Sequence, residues 1–132
     1  MDLSSINPLL LLASLMVAST PILLAALGEL VVERAGVLNL GVEGMMITGA
    51  ACGIIFSTLT GNAWLGFAGA ALGGLMLSFL FAVLTQVLLS NQVATGLALT
   101  LFGLGLSALL GQSFADARPP AFPKLDIPIL SD

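Results

Sequence analysis

Residues 44–115 read GMMITGAACGIIFSTLTGNAWLGFAGAALGGLMLSFLFAVLTQVLLSNQVATGLALTLFGLGLSALLGQSFA, and none of them carries a formal charge. A helix needs roughly 20 apolar residues to cross a hydrocarbon core about 30 Å thick, so a tract of about 70 is long enough for three crossings. Only its turn residues can divide it. Thr60-Gly61-Asn62 forms one break, followed by Trp64, an amphipathic ring suited to the membrane interface. Ser90-Asn91-Gln92 forms the other. The expected spans are residues 38–59 (or 42–59, since Gly41 and Gly44 weaken a helix start), 63–89 and 93–110.

Upstream, residues 8–27 supply a further span of the right length. Pro8 suits a helix start, where its missing N–H has no partner to lose. Pro21 lies inside this span and is expected to bend it, with Ser19 and Thr20 placed to serve the freed carbonyl. The segment is read as retained rather than as a cleaved signal, because Asp2 is the only charge before Glu29 and a positive leader is missing. The fold class is therefore all-α integral membrane, with about four transmembrane helices. Residues 1–115 form the helical bundle. Residues 116–132, with Arg118, Pro119, Pro120, Pro123, Lys124 and Pro128, form a polar, extended, proline-rich tail.

Composition agrees and narrows the function. The chain has 132 residues with 58% hydrophobic and 8% charged, against roughly 25% charged in a soluble domain. It cannot cover a globule with polar groups. A net charge of −4 with three basic residues excludes a nucleic-acid surface, which needs clustered cations. Histidine and tyrosine are absent, removing the commonest metal ligand and general base. The one cysteine, Cys52, reads as a small buried hydrophobe. No catalytic or metal residues are assigned, and no cofactor is expected on this chain.

The charged interruption lies at residues 28–44, GELVVERAGVLNLGVEG, which hold Glu29, Glu33, Arg34 and Glu43 between apolar spans. If the first helix continues through it, Glu29 and Glu33 share a face and repel, and Arg34 can neutralise one of them. Glu43 lies at the interface, pairs with Arg34, or faces a polar pathway, because an isolated carboxylate in hydrocarbon costs several kcal/mol. Gly36, Gly41 and Gly44 allow the backbone to unwind, and Asn39 can bridge exposed backbone groups. The run is not a phosphate cradle, since no strand precedes it and no P-loop lysine follows. Glu29, Arg34, Gly36, Asn39, Gly41, Glu43 and Gly44 are thus the candidate structural and translocation motif. Within the spans, Gly49 and Gly53, Gly69 and Gly73, and Gly103 and Ser107 stand four apart, the spacing that lets helices approach closely in lipid.

TPILLAALGELVVERAGVLNLGVEGMMITGA, residues 20–50, resembles the N-terminal signature of permease subunits of ABC importers. The group is the branched-chain amino acid and simple-sugar permease superfamily, in its nucleoside or simple-sugar type. NQVATGLALTLFGLGLSALLG, residues 91–111, and the proline-rich tail resemble later parts of the same group. The resemblance implies a multi-pass subunit of the bacterial plasma (inner) membrane that moves a nucleoside or simple sugar inward. It further implies a second related permease subunit, an ATP-binding cassette subunit that carries the ATP, and an extracytoplasmic substrate-binding lipoprotein as partners. Members of the group are more than twice this length, so the chain is expected to represent the N-terminal part of a permease. Arg118 and Lys124 against Arg34 slightly favour a cytoplasmic tail, whereas the resemblance places the tail outside and residues 28–44 toward the cytoplasm.

Two other readings fit parts of the sequence. A small four-helix proton-coupled efflux protein would use Glu43 as its proton and cation carrier, but its first span would need a charge that this one lacks. A non-transporting membrane assembly subunit would use the glycine faces to bind partner helices.

Overall fold

The computed structural model describes residues 7–122; the expectations for residues 1–6 and 123–132 lie outside them. The described residues form four long helices, α1 (Pro8–Arg34), α2 (Val42–Thr60), α3 (Ala63–Ala82) and α4 (Gln92–Gly111). Each is long and apolar enough to cross a membrane. No strand occurs among the described residues.

Asparagine starts three of these helices. Asn7, Asn62 and Asn91 each accept, through the side chain, an otherwise unpaired first-turn N–H of α1, α3 and α4 respectively. Gly61, at φ +65°, ends α2 in the left-handed conformation and permits the tight reversal into α3. Helix α3 ends less regularly, in a π-helical turn at Val83–Val87. The Leu84 carbonyl there accepts both the backbone N–H and the hydroxyl of Ser90, at 3.1 and 2.7 Å, which stops the helix and delivers the chain to Asn91.

The first span is longer than expected. Helix α1 continues through Pro21 without a break and through the charged residues to Arg34. The Ser19 and Thr20 hydroxyls donate to the Met16 carbonyl, one residue short of the Val17 carbonyl that Pro21 leaves without its usual donor. The break between the first two spans is therefore confined to residues 35–41.

Helix α2 is the centre of the bundle. It packs along α3 over most of its length and across α4 in its first half, while α1 touches it only sparingly and buries none of its own residues. The contacts are made by small residues. A Cβ placed on Gly49 would stand 2.9 Å from the Ala70 carbonyl oxygen, and Gly53 lies against Gly66 and Ala70. Across the same seam, Gly69 receives the Phe56 ring and Gly73 receives Cys52. On the other side, Gly44 and Gly103 bring α2 and α4 together: a Cβ on Gly103 would lie 2.6 Å from the Gly44 oxygen. Thr48 reaches across this crossing to the Gly103 carbonyl at 3.4 Å. Ser107, one turn further, donates within its own helix to Leu104. Met45, Leu77, Phe81 and Leu99 make up the small buried apolar core among the three helices.

Gly103→Ala is expected to destabilise the bundle by about 1–3 kcal/mol, because the nearest atoms the new methyl meets are Gly44 backbone and cannot rotate away. Gly105→Ala on the same helix meets nothing within 4 Å and should be neutral or stabilising. Thermal melts of the two variants in detergent make the comparison.

Candidate functional site at the break between α1 and α2

The chain leaves α1 through a Schellman turn. Gly36, at φ +82°, donates to the Glu33 carbonyl at 2.9 Å, and Val37 donates to Val32 at 3.2 Å. The left-handed φ is what calls for glycine here, since no neighbour crowds its Cα.

Beyond the turn, side chains from three directions take up the exposed backbone. Gln92, the first residue of α4, accepts the Leu38 N–H at 2.8 Å. Glu29 of α1 accepts the Asn39 N–H through Oε1 at 3.0 Å. The Asn39 carboxamide oxygen accepts the Gly41 N–H at 2.9 Å. The Leu40 carbonyl then accepts the Thr100 hydroxyl at 3.0 Å. A backbone group left unpaired in an apolar setting costs several kcal/mol, and these bonds satisfy the backbone of the irregular segment. The segment lies directly on α4: a Cβ on Gly96 would stand 2.8 Å from the Leu40 nitrogen.

The residues singled out from the sequence divide into two groups. Glu29, Asn39 and Gly41 are joined by hydrogen bonds, Gly44 packs on α4 directly after them, and Gly36 forms the turn that leads in. Arg34 and Glu43 are exposed. Arg34 is the last residue of α1 and Glu43 sits in the first turn of α2, each where the helix dipole favours its charge. The Glu29 carboxylate is thus engaged by the Asn39 backbone. The sequence reading gives Gln92 a place only in the Ser90-Asn91-Gln92 turn and gives Gly96, Gly66 and Ala70 none. Gly96 and Gly103 are seven residues apart and share a helix face, a spacing that pointed to the α2–α4 contact. The Gln92 bond spans 54 positions and had no local sign.

Beside the break, α1 stands away from the α2–α3 pair and leaves a cavity of about 570 Å³, within the usual range for small-molecule sites. Its walls are mostly aliphatic, from Leu24, Met46 and Leu75 among others, with Glu29, Asn39 and Ser78 as polar groups. No aromatic residue is among those lining it. Asn39 is buried, at 7% exposure, and donates its Nδ2 to the Met45 sulfur at 3.5 Å; Ser78 Oγ donates to the same sulfur at 3.2 Å. Among the described residues no cluster of His, Cys, Asp or Glu could hold a metal ion.

Residues 11–124 match the family described as the branched-chain amino acid transport system / permease component. The chain belongs to this permease family. Similar proteins include one provisionally named a glucose ABC transporter permease from Haloferax volcanii, 48% identical over 86% of this chain. The guanosine ABC transporter permease of Bacillus subtilis is 32% identical over the whole chain. A nucleoside ABC transporter permease of Lactococcus lactis is 32% identical over 80% of it. The matches span 34%, 44% and 35% of these relatives' own lengths. No solved structure gives a significant match.

Glu29→Ala is expected to cost about 1–3 kcal/mol, because the buried Asn39 N–H loses its acceptor. Glu29→Gln keeps an oxygen at that position and should retain most of the stability. Hydrogen exchange at the Asn39 amide reads the difference. Gly36→Ala should cost roughly 1 kcal/mol for the left-handed φ alone, with Gly36→Asn milder, as unfolding in detergent would measure.

Proposed function

We propose that this chain supplies its four helices to the translocation path of an ATP-driven importer for a sugar or a nucleoside, in a bacterial plasma membrane. The observation that carries this reading is the family match over residues 11–124, joined by three relatives each named as an ABC transporter permease. ATP hydrolysis belongs on a partner subunit, and an extracytoplasmic binding protein and a second permease subunit complete the assembly. The break between α1 and α2 serves as the structural hinge of the path: Glu29, Asn39 and Gly41 hold its backbone, and Gly44 seats it against α4. Broken helices with internally satisfied backbone are a recurring device where a polar substrate crosses a membrane.

One feature weighs against the efflux reading centred on Glu43: that residue is exposed at the start of α2, whereas a proton carrier belongs in the bundle interior or a water-filled cavity.

Deleting the gene is expected to abolish high-affinity uptake of labelled glucose or of a labelled nucleoside, with restoration by the intact gene. Co-purification from membranes should recover an ATP-binding subunit. Unchanged uptake of both substrate classes in the deletion strain would count decisively against the importer role.

A further inference from the structure

We infer that the cavity between α1 and the α2–α3 pair is a nucleoside subsite that takes the ribose cis-diol at its polar end, an inference resting on the importer reading above. The polar end is unusual in what it leaves unfinished. Asn39 is more than nine-tenths buried, yet its Nδ2 meets only the Met45 thioether, and the Ser78 hydroxyl turns to the same sulfur. A thioether is a weak acceptor, so two donors converge on one region without a strong partner. The Glu29 carboxylate faces the same cavity. Its Oε1 holds the Asn39 N–H, and Oε2 accepts no hydrogen bond among the described residues.

Two donors and a carboxylate oxygen complement a vicinal diol. The diol oxygens accept from Asn39 and Ser78, and one hydroxyl donates to Glu29 in a charge-assisted bond. The rest of the wall, including Leu24, Ala25, Met46, Ala50 and Leu75, offers aliphatic surface only. A monosaccharide carries hydroxyls all round its ring and would press several of them unpaired against that wall, which is unfavourable. A nucleoside divides as the cavity does, with the diol at one end and a flat base at the other. The base lies against the aliphatic wall with its polar edge toward the cavity mouth. The names of the relatives divide between glucose and nucleosides; the polarity of the cavity selects the second.

The test uses deletion cells carrying the intact gene, Ser78→Ala or Glu29→Gln, with protein levels and melting temperatures checked in each. Uptake of labelled guanosine is competed with unlabelled guanosine, 2′-deoxyguanosine and glucose. The intact protein should prefer the ribonucleoside to its 2′-deoxy analogue by about tenfold or more, the value of a hydrogen bond to a charged group, and glucose should not compete. Both variants should raise KM for guanosine and bring the ribo-to-deoxy ratio toward one. Equal competition by the two nucleosides in the intact strain, an unaltered ratio in both folded variants, or competition by glucose as strong as that by unlabelled guanosine would each overturn the subsite. Deletion cells that still take up every substrate would instead remove the importer reading on which it stands.

Discussion

Helix α2 meets its two neighbours backbone to backbone, and the rest of the molecule is placed by that contact. In lipid the apolar side chains gain little by leaving their surroundings, so helices associate through close packing and a few polar bonds. Gly49 and Gly53 meet α3 at the Ala70 and Gly66 backbone and the Ala70 methyl, and Gly44 meets Gly103 of α4 backbone to backbone. The second of these crossings decides where the break goes. With Gly44 against Gly103, the residues just before it lie on the first turns of α4, within reach of Gln92 and Thr100.

The break can then be irregular without leaving its backbone unpaired. Three N–H groups in four residues are accepted by side chains from α1, from α4 and from the segment itself. One of these acceptors, Glu29, also borders the cavity, so the carboxylate that holds the break is also part of the cavity wall.

Much of this was legible in the residues. A charge-free tract interrupted by the polar clusters Thr60-Gly61-Asn62 and Ser90-Asn91-Gln92 reads as three helices, and the Gly73-Gly74 pair between them stays inside α3. The resemblance carried by residues 20–50 and 91–111 led to the family. The start of the break was misplaced because Glu29, Glu33 and Arg34 look like a loop, although a helix near the interface tolerates such charges on its outer face. Gly36 was the better marker, as the residue whose left-handed φ ends α1. The partners of the break were hidden, since a backbone N–H accepted by a carboxylate ten residues away, or by an amide 54 away, has no periodicity to betray it. The π-helical turn at the end of α3, closed by the Leu88 N–H on the Val83 carbonyl and followed by the two Ser90 bonds to Leu84, likewise leaves no mark in the hydropathy pattern.

Helix α1 is fastened at one end. It has 27 residues and buries none of them, while its C-terminal end carries both the Gly36 turn and the Glu29 bond. At 1.5 Å per residue it is a lever about 40 Å long. Over the 21 residues between Pro8 and Glu29 a change of about 10° in its direction corresponds to roughly 5 Å at the Pro8 end. The direction of that rod relative to the rest of the chain is set at its base, by the Gly36 turn and the Glu29–Asn39 bond.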